Sequence, residues 1–495
     1  MEKESKKKQY PEDFKTICGL STMGWTTTAA QSFMASLFML YLTDYSGIKG
    51  ALSAAGISTI VLFLGRIIDA FDDPIQGWLM DNTKPTKWGK YKPYCMLSTL
   101  IITISIIMLY SIPQVVAKDS ILTVVWVMIF YIMYNIGSSF FAEGPLKQTL
   151  SNDDIIRVKV IMWPRAINML VTIPFAFAIS MVKSIDTYFN NIHTSFTVVT
   201  IAVIIPISIV SLLGASMVKE GPHKTRRFRN PRITLRDILI MFKTNKPFFI
   251  MQSASLFGGC IWSMVFATTT YYIKWAYCVD KATGIVDGNK FTTYTMILGA
   301  LQILPMLLAT IISAWIVKKL GSALNTLRLA YGIMGAVGAI TFILNIYGLF
   351  ENNALLYFML LATMLFCNGM IFVPGNLMGM ECMDYAVWKT GKVANGIIYT
   401  LGNFINKAQT ALASASVGIV LIIIGYNVDP VKDEFIGELY AIPNMLNSFI
   451  LISGLIPSIL AVITIAIYHF YPLDGEMRKK MKSDLEERRH EMESK

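Results

Sequence analysis

The chain has 495 residues, of which 54% are hydrophobic and only 15% are charged. A soluble domain normally carries about 25% charged residues, so this composition argues against an ordinary water-soluble protein. The formal net charge of +11 could indicate a nucleic-acid-binding protein. The basic residues are instead distributed between apolar segments, as described below, and we therefore expect no nucleic-acid partner.

Long uncharged segments recur along the chain, for example 93–117, 120–142, 291–317 and 329–350. A helix of about 20 apolar residues crosses a hydrocarbon core, and backbone groups inside lipid must be satisfied within the helix. The pattern predicts twelve transmembrane helices at 17–42, 53–80, 93–114, 120–143, 158–182, 196–218, 247–275, 291–317, 324–346, 354–379, 394–424 and 441–470.

The basic residues predict the orientation of these spans. Of the 43 Lys and Arg residues, 33 fall on one side of the predicted membrane, six on the other and four within spans. Because cytoplasmic loops carry the excess of Lys and Arg, both termini are predicted to be cytoplasmic. The sequence thus predicts a multi-pass protein of the cell membrane.

A basic stretch divides the predicted spans into two sets of six. We expect a six-helix bundle at 1–218, a cytoplasmic linker at 219–246, a second bundle at 247–470 and a cytoplasmic tail at 471–495. This all-α arrangement is the major-facilitator plan, in which two bundles alternate around a central site. We expect the protein to function as a monomer. The charged tail is predicted to form a solvated helix.

Three acids lie close together in the second predicted span. Asp69, Asp72 and Asp73 share one helix face, and like charges repel strongly at low dielectric. They can coexist only if some are protonated or if a cation lies among them, which indicates a proton or sodium site. A solvated helix end, or an intrahelical pair between Arg66 and Asp69, is the alternative.

Other polar residues within spans are assigned by their chemistry. Asn135 and Ser138 of the fourth span are assigned to the cation site. Arg165 and Lys407 are expected either to counter the acids of the second span or to donate hydrogen bonds to a hydroxyl-rich ligand. Glu143 is interpreted as a boundary or gate residue.

Sugars suit a site that combines polar groups with aromatic faces. The predicted substrate contacts are Arg165, Trp25, Thr26 and Phe372. Lys407 and Arg66 are predicted to couple charge between the two sites. The scattered cysteines and histidines form no metal-ligand or nucleophile pattern, so we expect neither an enzyme nor a cofactor beyond a transported Na⁺ or H⁺.

Two long motifs resemble the signatures of the glycoside–pentoside–hexuronide:cation symporter family. Residues 65–93 read GRIIDAFDDPIQGWLMDNTKPTKWGKYKP, and residues 384–392 read DYAVWKTGK. The resemblance implies twelve helices, cytoplasmic termini and symport with sodium, lithium or protons. It matches Asp69 and Asp73 to the family's cation aspartates, Arg165 to its sugar-site arginine and Lys407 to its helix 11 lysine.

The chain departs from its galactoside-transporting relatives at two carboxylates, which align with Thr26 and Ser138. This puts a galactoside substrate in doubt, because carboxylates make stronger hydrogen bonds to hydroxyls. Asp72 is a candidate replacement charge. The resulting prediction is cation-coupled import of a glycoside, pentoside, hexuronide or short oligosaccharide by alternating access. The alternative is a carrier of the same fold for a non-sugar solute such as a lipid or drug.

Overall fold

The structure of the protein is a computed structural model. It describes residues 14–41, 72–112, 120–151, 153–220, 240, 243–280, 285–351, 353–391, 393, 395–406, 408–409, 428–429, 434–435, 442–473 and 475–493. Asp69, Arg66 and Lys407 lie outside these residues, so their predicted roles stay predictions.

Helices dominate the described residues. In chain order they are α1 (Phe14–Met23), α2 (Trp25–Leu40), α3 (72–82), α4 (Lys92–Leu109), α5 (Ser120–Ser139), α6 (Glu143–Leu150), α7 (Asp154–Val171), α8 (Ala178–Phe189), α9 (Ile192–Met217), α10 (Lys246–Tyr277), α11 (Gly288–Leu320), α12 (Ala323–Ile346), α13 (Ala354–Thr390), α14 (395–406), α15 (Ile442–Ile450), α16 (Ile456–His469) and α17 (Glu476–Glu493). A 3-10 turn at Ile173–Phe177 precedes α8, and a π-helical turn at Leu451–Leu455 joins α15 to α16. A two-residue antiparallel pair joins β1 (Val428–Asp429) to β2 (Glu434–Phe435).

Among the described residues, nine helical stretches are long and apolar enough to cross a membrane. They correspond to predicted spans 3 to 10 and 12. The first predicted span is described as α1 and α2, which meet at Gly24. Spans 2 and 11 are only partly described. These stretches make the chain a multi-pass membrane protein.

The chain divides into two compact units. The first contains residues 1–241, 386–404 and 490–495, and the second contains 242–385 and 405–489. The first unit therefore includes residues 395–404 of α14, which follows the second signature in sequence. Its inclusion has a direct cause in hydrogen bonds from the start of α14 to α3, described below.

The fourth predicted span, 120–143, extends four residues beyond its helix. Helix α5 ends at Ser139, and α6 begins at Glu143. Pro145 explains the break, because its ring lacks an N–H and clashes with the carbonyl four residues earlier, at Phe141.

The tenth predicted span was too short. Helix α13 continues to Thr390, and Gly391 follows it with φ of +69°, a left-handed position that suits glycine at a helix C-terminus. Residues 384–390 of the second signature are therefore helical, although the sequence placed them in a loop.

Close glycine contacts determine helix packing in both units. A Cβ on Gly19 of α1 would lie 2.8 Å from the carbonyl oxygen of Gly214 in α9, and a Cβ on Gly338 of α12 would lie 2.7 Å from that of Gly454. Both distances are too short for any side chain, so these helices approach backbone to backbone. Ser458 of α16 strengthens the second crossing by donating a hydrogen bond of 2.8 Å to the Gly335 carbonyl.

The prediction of a solvated tail helix was wrong for one of its faces. Met481 and Leu485 of α17 are buried, and Arg478 forms an ion pair with the buried Glu381 of α13. These three tail positions recur every three or four residues and so share one helix face. The tail helix is docked on the second unit.

Candidate functional site

Helix α3 carries two acids against α5. Asp73 is fully buried, and its Oδ1 accepts a hydrogen bond of 2.6 Å from the Ser139 hydroxyl. Asp72 accepts a hydrogen bond from the Gln76 amide, which also donates to the carbonyl of Ile136 at 3.3 Å. The predicted acidic face of the second span therefore faces polar groups of the fourth.

The serine that contacts Asp73 is Ser139, one residue beyond the predicted Ser138. Asn135 and Ser139 are four residues apart and share a face of α5, whereas Ser138 is turned away by about 100°. The Asn135 Nδ2 and Gln76 Oε1 atoms are buried, and neither has a hydrogen-bond partner among the described residues. A buried polar atom without a partner costs about 1–3 kcal/mol, so this cluster suits an additional polar or ionic guest. Turning the Asn135 amide by 180° would offer an oxygen to a cation.

Near the break between α5 and α6 lies a second set of charged side chains. Glu143 forms an ion pair of 2.6 Å with Lys147, one turn further along α6. Arg165 of α7 also interacts electrostatically with Glu143. The acid that the sequence suggested was a boundary residue therefore interacts electrostatically with the predicted substrate-binding arginine.

Tyr399 of α14 packs against the start of α6 within the first unit. Its ring lies so close to Gly144 that a Cβ at that position would overlap it. Tyr399 also interacts electrostatically with Glu143. A glycine after Glu143 thus allows an aromatic side chain to approach the helix break.

Trp25 and Asn168 supply two more buried polar atoms. The indole Nε1 of Trp25 and the Oδ1 of Asn168 have no hydrogen-bond partner among the described residues. Gly24 lies against Asn168, since a Cβ on this glycine would be 3.0 Å from the Asn168 Nδ2. The predicted Trp25 therefore lies at the junction of α1 and α2, near Asn168, a polar residue that was not among the predicted site residues.

Thr26 is directed into the packing between helices. It is fully buried, and its hydroxyl lies 2.9 Å from the Ser211 hydroxyl and 3.3 Å from that of Ser208, both on α9. These contacts already satisfy the Thr26 side chain. Phe372, the other predicted aromatic contact, lies half-buried on α13 of the second unit.

Asp81 connects α3 to the start of α14. Its two carboxylate oxygens accept hydrogen bonds of 2.9 Å from the backbone N–H groups of Gly396 and Ile397. The first N–H groups of a helix have no intrahelical acceptor, so an acid from another helix satisfies them. Burial raises the pKa of Asp81 from 3.8 to about 6, although Lys90 and both N–H groups act to lower it.

Glu220 likewise accepts hydrogen bonds from backbone N–H groups at the start of a helix, α4. Its carboxylate accepts hydrogen bonds from the backbone N–H groups of Lys90, Tyr91 and Lys92 at 2.8 to 3.2 Å. Burial raises the pKa of Glu220, and these three N–H groups oppose that rise. The sequence did not predict these roles for Asp81 and Glu220, because the backbone N–H groups that donate to them lie far away in sequence.

No group of three or more His, Cys, Asp and Glu side chains that could hold a metal occurs within the described part of the chain. The buried polar clusters around Asp73 and Arg165 are features of the first unit that could receive a guest. Together with the helical architecture, they define a membrane carrier.

Comparison with known proteins identifies the family. The profile of the family described as MFS/sugar transport protein matches residues 17–475, and the chain belongs to this family. It is a transporter of the major facilitator superfamily and not an enzyme. The predicted fold class and the family resemblance are confirmed.

Two relatives match most of the chain. It is 27% identical over 411 residues to the isoprimeverose transporter of Lactiplantibacillus pentosus, covering 80% of this chain and 77% of the relative. It is 22% identical over 495 residues to the uncharacterized symporter YnaJ of Bacillus subtilis (strain 168), covering 96% of both. A shorter stretch is 27% identical to the chicken (Gallus gallus) sodium-dependent lysophosphatidylcholine symporter 1 over 109 residues, covering 22% of this chain and 18% of the relative.

Solved structures share the fold. The proton:xylose symporter XylE bound to 6-bromo-6-deoxy-D-glucose superposes with a TM-score of 0.61 at 12% identity, covering 95% of this chain and 97% of that one. The major facilitator superfamily transporter FucP in the outward conformation superposes with a TM-score of 0.60 at 13% identity, covering 94% of this chain and 100% of that one.

Proposed function

We propose that this protein imports a neutral glycoside or short oligosaccharide together with a cation, across the cell membrane and with both termini in the cytoplasm. The observation that carries the proposal is the burial of Asp73 against Ser139, beside Asp72 and Asn135. An ionised acid deep in a membrane protein is stable only with a compensating positive charge. A relative named as a sugar transporter supports a sugar substrate, and a relative named as a symporter supports coupling to a second solute.

The proposed cation site consists of Asp73, Asp72, Asn135 and Ser139, with Asp69 added from the family resemblance. Carboxylate, hydroxyl and amide oxygens are hard ligands that suit a small hard cation. A proton could instead neutralise one of the acids. In either case, binding removes the repulsion between neighbouring carboxylates.

The proposed sugar site lies around Arg165, with Trp25, Asn168 and Glu143 as partners from the first unit. Arg165 donates hydrogen bonds to hydroxyls, Glu143 accepts them, and Trp25 supplies both a ring face and an N–H group. Because Glu143 offsets the charge of Arg165, a neutral sugar fits better than an anionic hexuronide. Thr26 is left out of this site, since its hydroxyl is occupied by α9. The role predicted for Phe372 stays a prediction.

Coupling requires that the cation and the sugar each tighten the binding of the other. The loaded carrier would then release both solutes inside by alternating access. At a membrane potential of about 100 mV, one positive charge moved inward supplies roughly 2.3 kcal/mol, enough for about 40- to 50-fold accumulation.

Transport by proteoliposomes tests the cation site. Uptake of a labelled glycoside panel should be measured with and without Na⁺ and with a proton gradient. Asp73→Asn should abolish accumulation while retaining exchange of sugar between the two sides. Asp153→Asn is the matched control, because this exposed acid is the N-cap of α7 and Asn caps helices equally well. Full cation-driven accumulation by Asp73→Asn would refute the proposed coupling.

Glu143→Gln tests the sugar site separately. Loss of one charge-assisted hydrogen bond should raise KM for the sugar about 10-fold. The stimulation of uptake by the cation should persist. An unchanged KM would remove Glu143 from the site.

A carrier for an amphiphilic lipid is the second candidate. It is favoured by the short match to a lysophosphatidylcholine symporter. In the same assay, this alternative predicts uptake of the lysolipid that no glycoside inhibits.

A further inference from the structure

The start of α6 is held by a residue from another helix. Its N-cap is Ala142, whose side chain cannot accept a hydrogen bond, and Glu143 and Gly144 are its first two residues. The first N–H groups of a helix have no acceptor within that helix. The Tyr399 hydroxyl forms a hydrogen bond with the backbone of Gly144, and the Tyr399 ring lies against the same glycine. Tyr399 of α14 therefore fixes the first turn of α6.

Glu143 belongs to the turn that Tyr399 holds, and its carboxylate has several partners. It forms an ion pair of 2.6 Å with Lys147, and it interacts electrostatically with Arg165 and with Tyr399. The strength of a charge-assisted hydrogen bond depends on the position of its acceptor. Whatever fixes the first turn of α6 therefore also fixes the acid of the proposed sugar site.

The beginning of α14 is attached to α3 as well. A Cβ on Gly396 would lie 2.8 Å from the Gly77 carbonyl oxygen, so the two helices meet backbone to backbone. Asp81 of α3 also accepts a hydrogen bond of 2.9 Å from the Gly396 N–H. Gly77 lies about one helical turn after Asp73 of the proposed cation site. Tyr399 thus lies three residues from a close contact with the helix that carries Asp73.

We propose that Tyr399 is a positioning residue for Glu143 and that it ties the position of this acid to α3. When α3 shifts on cation binding, the start of α14 shifts with it, and the Tyr399 hydroxyl carries the displacement to the first turn of α6. The cation thereby changes the affinity of the sugar site through a chain of direct contacts. This role rests on the proposed function, in which Glu143 contacts the sugar.

Hydrogen exchange of the purified full-length protein tests the structural step and needs no substrate. Tyr399→Phe removes the hydroxyl and keeps the ring. Amide exchange in the first turn of α6 should become about five-fold faster, as expected for the loss of one hydrogen bond. Tyr347→Phe is the same change at an exposed tyrosine after α12, and it should leave this exchange unchanged. Unchanged exchange in Tyr399→Phe would overturn the proposal.

A glycine variant tests the connection to α3. Gly396→Ala places a methyl group against the Gly77 carbonyl and displaces the start of α14. Exchange in the first turn of α6 should again become faster, by about two-fold or more, and Tyr399→Phe should add little to this increase. Gly332→Ala of α12, where a Cβ meets nothing within 4 Å, is the control. Two increases that simply multiply would exclude transmission through the tyrosine hydroxyl.

A double-mutant cycle in uptake tests the functional step, with the glycoside of the labelled panel that has the lowest KM as the probe. Tyr399→Phe should raise KM about three- to five-fold and change kcat less than two-fold. In the Glu143→Gln background, the same change should raise KM less than two-fold. An equal rise in both backgrounds would overturn the positioning role and indicate direct contact between Tyr399 and the sugar.

The two proposals fail in different ways. An unchanged KM in Glu143→Gln, or uptake of no glycoside, would refute the proposed sugar site, and hydrogen exchange would still decide whether Tyr399 holds the start of α6. A raised KM in Glu143→Gln that Tyr399→Phe does not reproduce would overturn the role of Tyr399 alone.

Discussion

The ion pair between the tail helix and α13 offers a quantitative test of the fold. Arg478 Nε donates a hydrogen bond of 2.7 Å to Glu381 Oε1, and its Nη2 lies 2.5 Å from the same oxygen. The side chain of Glu381 is 3% exposed and that of Arg478 is 19% exposed. The two partners therefore respond differently to loss of the other.

Arg478→Ala leaves a buried carboxylate without its cation, which typically costs about 3–5 kcal/mol. Protonation limits this cost. Taking up a proton at pH 7 costs a glutamate of ordinary pKa about 3.7 kcal/mol, and at pH 5.5 about 1.6 kcal/mol. We expect a loss of roughly 3 kcal/mol at pH 7 that falls by about half at pH 5.5. Glu381→Gln should cost only about 1 kcal/mol, because the partly exposed Arg478 can reach water.

Thermal unfolding of the purified protein at one scan rate measures these effects. A loss of 3 kcal/mol should lower the Tm by roughly 6–12 °C for a unit of this size. The double variant should be more stable than the sum of the single losses predicts, by about 1 kcal/mol or more. Lys480→Ala, on the exposed face of α17, is the control. Strictly additive losses, or a loss from Arg478→Ala that is independent of pH, would refute the reasoning.

Two further predictions concern stability. The pKa of Asp81 is about 6 in the folded protein, against an ordinary value of 3.8. Protonated Asp81 therefore contributes to the free energy of unfolding below about pH 4, and this contribution is lost as the pH rises through 6. Asp81→Asn cannot ionise, so its stability relative to the wild type should rise by roughly 3 kcal/mol between pH 4 and 7 in denaturation measurements, and a constant difference would contradict this. Gly338→Ala should destabilise the protein, because its Cβ would lie 2.7 Å from the Gly454 carbonyl; Gly332→Ala on the same helix meets nothing within 4 Å and should be neutral or stabilising by up to about 1 kcal/mol. Equal Tm values for these two glycine variants would count against the close crossing.

Much of the candidate site could be predicted from single spans. The acids of the second span stand out because charge is rare inside lipid, and Asn135 follows from polarity within an apolar run. Asp73 contacts Ser139 and not the neighbouring Ser138 for a geometric reason, since adjacent residues on a helix point about 100° apart. The rotation of α5 toward α3 depends on packing and cannot be read from either helix alone.

Glu143 and Thr26 show what helix packing adds to the sequence. Pro145 was available in the sequence as a signal for the break in the fourth span. Glu143 is the first residue of α6 and thus lies at a helix boundary, whereas its electrostatic interaction with Arg165 follows from the packing of α7. Thr26 looked available for a sugar, but the packing of α2 on α9 brings two serine hydroxyls to it.

The sequence by itself determined that this protein is helical and spans a membrane, because uncharged runs of span length can satisfy their backbone groups in lipid in no other way. Its motifs also identified the family. Only the tertiary structure decided which polar groups meet: Asp73 with Ser139, Asp81 with the start of α14, and Glu381 with Arg478. Each of these contacts joins residues more than 60 positions apart in the chain. Local periodicity carries no information about such distances, since they depend on how whole helices pack.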